Sequence, residues 1–125
     1  MPTPRPALTP PPNIGNELQV FKARFFRALS NPTRIRLLEI LVRGGRTVQE
    51  LQDALALEQP FVSQQLAILR NHGIVMAHKE RSSVRYTVRD PRLRDLLDVA
   101  RAIFYTQLDG SQGLLRELRR ERRSG

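Results

Sequence analysis

Residues 47–89 read TVQELQDALALEQPFVSQQLAILRNHGIVMAHKERSSVRYTVR, and this stretch decides the fold. Thr47 and Glu50 have the spacing of a capping box, in which each side chain accepts a hydrogen bond from the other residue's backbone N–H. The box predicts a helix that reaches about Leu55, and residues 56–58 then form a turn. The pattern is typical of the first half of a helix-turn-helix.

A second helix is predicted after this turn, over about residues 59–72. Val62, Leu66 and Leu69 recur at helical spacing, so one face of this helix packs into the core. Gly73 ends the helix, because glycine readily adopts the left-handed conformation of a helix stop. The polar face that remains is available for binding.

Two strands are predicted next, at 74–80 and 84–88, with residues 81–83 as the tip of the hairpin. Five basic side chains and one acidic side chain give residues 59–89 a charge of +4. The second helix of a helix-turn-helix fits the DNA major groove, and a basic hairpin beside it can lie along the neighbouring backbone. The whole stretch therefore predicts a DNA-binding unit.

Further helices are predicted on both sides of this unit. The stretch 17–29 has apolar residues at helical spacing, and Asn31 and Pro32 then begin a helix over 32–43, since Asn caps helices and Pro fits their first turn. A long helix with a wide apolar stripe is predicted over 91–108. The buried stripe predicted for the 32–43 helix is Ile35, Leu38, Leu41 and Val42.

The composition narrows the classes of protein. The 125 residues include 21 basic and 12 acidic side chains, a net charge of +9, and no cysteine. A small basic chain usually meets a polyanion, although charge alone fits a solvated surface equally well. The lack of cysteine excludes disulfides and thiol chemistry. No apolar run approaches the ~20 residues that cross a bilayer, and no signal peptide is visible, so we expect a cytoplasmic protein.

Three segments carry a resemblance to a known family: FFRALSNPTRIRLLEIL at 25–41, VSQQLAILRNHGIV at 62–75 and VRYTVRDPRLRDLL at 84–97. Over roughly residues 18–108 the chain resembles the ArsR/SmtB family of bacterial winged-helix repressors. The resemblance implies a mainly α fold with a small β-hairpin, and homodimers whose first and last helices pair across a two-fold axis. It also implies recognition helices that enter successive major grooves of double-stranded DNA.

The predicted domain organisation follows from this resemblance and from composition. Residues 1–16 hold six of the nine prolines and almost no charge, which is typical of a disordered leader. Residues 17–109 form the winged-helix DNA-binding and dimerisation domain, and residues 110–125 form a basic tail. Within the tail, 114–123 predicts a short basic helix that either adds DNA affinity or is simply solvated.

A homodimer is also favoured by the residues themselves. The 17–29 and 91–108 helices have more apolar surface than so small a domain easily covers, and exposed stripes of that size mark interfaces. The alternative is that the two helices cover each other within one chain. Two-fold dimers are common, so we predict a dimer. The expected interface residues are Leu18, Phe21, Phe25, Leu93, Leu96, Leu97, Ala100 and Phe104.

Candidate DNA contacts lie on the 59–72 helix and on the hairpin. Glutamine can pair with adenine through two hydrogen bonds, and serine reaches several base edges. The resemblance implies contacts by Gln59, Ser63 and Gln64, and it extends to Gln65, where the family often has His. Phe61 either packs beside Ile68 or meets a thymine methyl group, and we expect packing. The full predicted set is Gln59, Ser63, Gln64, Gln65, Arg70, Lys79, Arg81, Ser82 and Arg85.

No metal, cofactor or catalytic centre is predicted. Metal-sensing members of the family use cysteines, or Asp, His and Glu on the last helix; here Asp90 is followed by Arg92 where a His is expected. His72 and His78 lack a third ligand. The chain also lacks a cysteine nucleophile, a glycine-rich phosphate loop and a plausible Ser-His-Asp set. The effector is therefore left unidentified.

Two functional hypotheses remain. The first is a sequence-specific homodimeric repressor that binds an inverted-repeat operator. The second is a protein-interaction module, or a non-specific DNA-binding protein, that uses the same basic surface. Replacing Ser63 and Gln64 separates the hypotheses, since only the first requires these side chains to read bases.

Overall fold

The computed structural model describes residues 15–108 and 111–124, with side chains as far as residue 121. The predicted leader falls almost entirely in residues 1–14, outside this description, so the division into three parts stays a prediction. The predicted class, mainly α with a small β-hairpin, is confirmed. The elements in order are α1 Glu17–Leu29, α2 Pro32–Leu41, β1 Arg46–Thr47, α3 Val48–Leu55, α4 Gln59–Asn71, β2 Val75–Glu80, β3 Ser83–Val88, α5 Arg92–Gln107 and α6 Gln112–Ser124.

Helix α2 begins where local chemistry predicts. The Asn31 side chain accepts a hydrogen bond from the backbone N–H of Arg34 at 3.1 Å, and Pro32 lies in the first turn, where its missing N–H is not needed. The helix ends at Leu41 rather than at residue 43. The Asn31 cap and Pro32 are both local features, so the sequence alone is sufficient to predict where α2 begins.

The buried face of α2 differs from the predicted stripe. Leu37, Leu38 and Leu41 are buried, whereas Ile35 is 38% exposed. At the helical rotation of roughly 100° per residue, Ile35 lies about 110° from the middle of that buried face. The prediction that Ile35 is a core residue was therefore wrong. Leu37, which the predicted stripe left out, is buried instead.

The capping box at the start of α3 is confirmed. The backbone N–H of Glu50 donates to Thr47 Oγ1 at 3.2 Å, and the backbone N–H of Thr47 donates to Glu50 Oε1 at 2.8 Å. Ala56 ends the helix in the left-handed conformation, at φ 55° and ψ 46°. Two short helices, α3 and α4, thus meet at the sharp turn that a helix-turn-helix requires.

The sheet has one strand more than predicted. The strand order is β1-β3-β2, with both pairings antiparallel. Glu80 pairs with Ser83, so the hairpin loop is residues 81–82, and Arg81 adopts a positive φ of 50° to close it. Strand β1 was missed because a two-residue segment is too short to show an alternating pattern.

The core lies between the helix-turn-helix, α2 and the base of the hairpin, and α5 closes it through Leu93. Most of its fully buried side chains are Leu and Val, which pack without directional preference. Helix α6 includes the short basic helix predicted over 114–123, and it buries Leu115 and Leu118. Arg101 Nη2 of α5 lies 3.8 Å from Glu121 Oε1 of α6. The largest buried side chains are Leu37, Leu38, Leu41, Leu51, Val62, Leu66, Leu69 and Val75.

Candidate DNA-binding surface

The outward face of α4 is polar, as its periodicity predicts. Val62, Leu66 and Leu69 face the core, which leaves Gln59 and Gln64 exposed and Ser63 half-buried. Gln59 Nε2 donates a hydrogen bond to Ser63 Oγ at 2.8 Å, so these two side chains are aligned along one turn. Their amide and hydroxyl groups supply both donors and acceptors, which is what base edges in a major groove require.

Gln65 does not belong to this face. It is 7% exposed, and its Oε1 accepts a hydrogen bond from Arg34 Nη1 at 2.9 Å. Our inclusion of Gln65 among the outward-facing candidates was therefore wrong. Position 65 lies three residues after Val62 and four before Leu69, so the helix turns it toward the core.

Phe61 also lies where we did not expect it. The predicted core packing is wrong, because the side chain remains 40% exposed near the start of α4. An exposed ring at the first turn of a helix is available for apolar contact with a partner surface, including a thymine methyl group. Contact between Phe61 and a thymine methyl group, the second possibility given by the sequence, stays a prediction.

Most of the remaining residues predicted to contact DNA are exposed to solvent. Arg70 is exposed in the last turn of α4, while Lys79, Arg81 and Ser82 are exposed at the end of the hairpin. The hairpin, or wing, thus presents positive charge beyond the polar face of α4. Charges arranged in this way can neutralise phosphates on either side of a groove.

Arg85 has a different environment from the other basic candidates. Its Nε donates to Glu80 Oε1 at 2.9 Å, and its Nη1 donates to the carbonyl oxygen of Gly45 at 3.0 Å. The hydrogen bond to Glu80, followed by the charges of Glu80 and Glu50, raises the pKa of Arg85 above its usual value. This side chain joins the two wing strands to the start of α3, so its charge is already partly neutralised within the protein.

Gly45 allows the wing to approach this closely. A Cβ at position 45 would lie 2.9 Å from Thr87 Cγ2 and 3.2 Å from the Arg85 side chain. Real Cβ atoms do not approach neighbours to 2.9 Å, so only glycine fits without displacement. The structure thus shows a close contact between the loop that follows α2 and strand β3.

A second exposed surface is apolar and lies on α1 and α5. Of the predicted interface residues, Leu18, Phe21 and Phe104 are exposed, while Phe25, Leu96, Leu97 and Ala100 are half-buried. Leu93 is 6% exposed and packs in the core of its own chain, so its assignment to an interface was wrong. Further large apolar side chains on these helices were missed although they are exposed: Val20, Phe26, Val99 and Ile103.

The position expected for a metal ligand contains an ion pair. Arg92 Nη2 lies 2.7 Å from Asp90 Oδ2, and the hydrogen bonds from Arg92 lower the pKa of Asp90 to about 2. Among the residues that the structure describes, no three His, Cys, Asp or Glu side chains are grouped so that they could hold a metal ion. In the same described ranges, no helix has the length and apolar character needed to span a bilayer.

The fold and this surface define a class: a winged helix-turn-helix DNA-binding protein. The sequence profile of the bacterial regulatory protein arsR family matches residues 31–77. An uncharacterized HTH-type transcriptional regulator of Mycobacterium tuberculosis, Rv0081, is 39% identical over 103 residues, which cover 82% of this chain and 90% of the relative. The protein belongs to the ArsR family of transcriptional regulators, and the enzyme classes are set aside on that ground.

Other relatives and solved structures agree with this assignment. The crystal structure of Rv0081 superposes with a TM-score of 0.70 over 75% of this chain and 95% of that chain. The probable mercury resistance operon repressor of Streptomyces lividans is 44% identical over 81 residues, which span 65% of each protein. The transcriptional repressor BigR of Xylella fastidiosa is 31% identical, with a TM-score of 0.63 over 71% of this chain and 89% of that chain. The chain is thus a DNA-binding transcriptional regulator.

Proposed function

We propose that this regulator is a homodimeric repressor that binds an inverted-repeat operator in the cytoplasm. Each protomer places α4 in the major groove of one half-site, and each wing lies along the flanking phosphates. The observation that carries the proposal is the outward polar face of Gln59, Ser63 and Gln64 on α4, together with the exposed cations of the wing. Base reading requires groups of the first kind, and phosphate binding requires groups of the second kind.

The dimer part of the proposal rests on the apolar surface of α1 and α5. Phe21 is 70% exposed, Val99 is 60% exposed and Ile103 is 52% exposed. Water-exposed apolar side chains of this size on neighbouring elements favour burial against another surface. A two-fold arrangement of identical faces would cover both copies at once and would present two recognition helices to one duplex.

The repressor part of the proposal draws on the named relatives. The mercury resistance operon repressor and BigR both carry that role in their names, and both share this fold or much of this sequence. A bound dimer that covers a promoter blocks polymerase access by simple occupancy.

The proposal is tested by selecting duplexes from a random-sequence DNA library with the purified full-length chain. The recovered duplexes should share an inverted repeat with half-site centres about 10–10.5 base pairs apart, or a multiple of that spacing. A promoter that carries the repeat should lose transcription in a purified system when the protein is added. Failure to enrich any repeat, together with loss of binding to excess competitor DNA, would instead favour a non-specific or protein-binding role.

A further inference from the structure

The guanidinium of Arg34 connects three helices. Its Nε donates to the carbonyl oxygen of Ala28 at 2.6 Å, and its Nη2 reaches the carbonyl oxygen of Arg27 at 3.4 Å. Its Nη1 donates to Gln65 Oε1 at 2.9 Å. Arg34 itself belongs to α2, the two carbonyls belong to the last turn of α1, and Gln65 belongs to α4.

The link to α1 follows from helix chemistry. The last carbonyl groups of a helix have no partner within the helix, and a cation near them is favoured by the helix dipole. Arg34 occupies the first turn of α2, where Asn31 fixes its backbone N–H. Both the backbone and the side chain of Arg34 are therefore held in place at the α1–α2 junction.

The hydrogen bond from Arg34 to Gln65 links α2 to α4, and it is a directional contact among side chains that are otherwise apolar. Among the described residues, Gln65 is the one buried polar or charged side chain. Its neighbours on the same face, Val62, Leu66 and Leu69, pack through contacts that tolerate small rotations of the helix. A hydrogen bond tolerates such rotations poorly, because its strength falls steeply with angle.

Rotation of α4 matters for base recognition. Ser63 and Gln64 immediately precede Gln65, so any rotation of the helix carries them with it. For side-chain atoms about 5–6 Å from the helix axis, a rotation of roughly 10° is a displacement of about 1 Å. A displacement of that size is enough to break a bidentate hydrogen bond to a base, whereas contacts to phosphate adapt through long, flexible side chains.

We infer that Arg34 is a positioning residue: through Gln65 it fixes the rotation of the recognition helix α4 relative to α1, and so sets the discrimination between operator and random DNA. This inference rests on the proposed function. Since α1 contributes Phe21 to the apolar surface of the proposed dimer, the link also ties the recognition helix to the two-fold scaffold. Arg34 is not expected to touch DNA itself.

The test compares five variants with the wild-type full-length chain: Arg34→Met, Gln65→Leu, the variant that combines these two, Gln65→Glu, and Arg36→Met as control. Arg36 is an exposed arginine on the same helix, so its replacement removes the same charge without breaking the link. For each variant, Kd is measured for the selected duplex and for a scrambled duplex of equal length. Each single replacement of Arg34 or Gln65 should lower the ratio of the two affinities on the order of tenfold, and the double variant should lower it no further.

Two further measurements distinguish a change in the position of α4 from a failure of the variant to fold. Sedimentation and thermal unfolding report whether each variant is folded and dimeric. Gln65→Leu keeps the helix cap on α1 and replaces a buried amide by an apolar side chain of similar size, so it should fold even if Arg34→Met does not. Gln65→Glu retains an acceptor for Arg34 and should keep the wild-type ratio.

A folded Gln65→Leu dimer with an unchanged affinity ratio would overturn the inference, as would strictly additive losses in the double variant. The affinity ratio of Arg36→Met should stay near the wild-type value. If it falls as far as that of Arg34→Met, the loss of discrimination comes from the lost charge alone, and the inference is again overturned. A wild-type protein that shows no preference for any duplex is a different result, because it would refute the proposed function from which this inference starts.

Discussion

Gln64 and Gln65 are adjacent and chemically identical, yet one is exposed and the other is buried. The helical phase distinguishes them, since position 65 shares a face with Val62 and Leu69. The chemistry of glutamine obscured that phase, because an amide is usually assigned to solvent. Its burial becomes favourable only with the partner that Arg34 provides.

Base reading by Ser63 and Gln64 is tested by replacing both with Ala. We expect discrimination between the selected and scrambled duplexes to fall by roughly tenfold to a hundredfold, because the loss of one bidentate pair to a base is worth about 1–3 kcal/mol. Equilibrium binding by fluorescence anisotropy measures the effect. Gln107→Ala, an exposed glutamine at the end of α5, serves as the control and should leave discrimination unchanged. Full discrimination in the double variant would exclude this face of α4 as the reading surface.

At the scale of elements, helices were predicted well and the wing less well. The helix limits near Asn31, Thr47 and Gly73 follow from caps and stops within one turn of chain. Strand β1 forms instead because the short segment Arg46–Thr47 pairs with β3, and no local pattern in the sequence predicts this pairing. The same pairing brings Arg85 against Gly45, so a side chain predicted to contact DNA also has a hydrogen-bond partner within the protein.

Arg81 and Arg85 are therefore expected to differ when each is replaced by Ala. Arg81→Ala should weaken binding to selected and scrambled duplexes alike and reduce the slope of log K against log salt by about 1.8, the value for one phosphate contact from each protomer of the dimer. Arg85→Ala should lower the melting temperature, because it removes the hydrogen bonds to Glu80 and Gly45. Thermal unfolding and salt titrations distinguish the two effects. Equal salt slopes for the two variants would show that Arg85 also neutralises phosphate.

For the whole molecule, the apolar surface of α1 and α5 is the feature that a single chain leaves unexplained. Helix α6 covers part of the neighbouring surface through Leu115 and Leu118, but Phe21, Val99 and Ile103 remain exposed. Burial of an apolar side chain such as these contributes about 1.5–3 kcal/mol. Several such side chains from each of two copies are enough to favour association.

Phe21→Glu should convert the dimer into a monomer, because it places a charge in an apolar interface while disturbing little in the folded chain, where the ring is 70% exposed. Sedimentation equilibrium measures the association, and binding to a whole repeat should weaken far more than binding to one half-site. Leu114→Glu is the matched control, since it alters an exposed apolar residue on α6. A dimeric Phe21→Glu protein would place the interface elsewhere.

The sequence by itself determined the helix-turn-helix, the wing and the family, because caps, periodicity and turn residues act over a few neighbouring positions. Only the tertiary structure decided which polar side chains have partners inside the protein. Arg34 meets Gln65 across 31 positions of chain, and Arg85 meets Gly45 across 40. Contacts over such separations depend on how the finished helices and strands pack, so a side chain's partner, unlike its helix, could not be inferred from its neighbours in the chain.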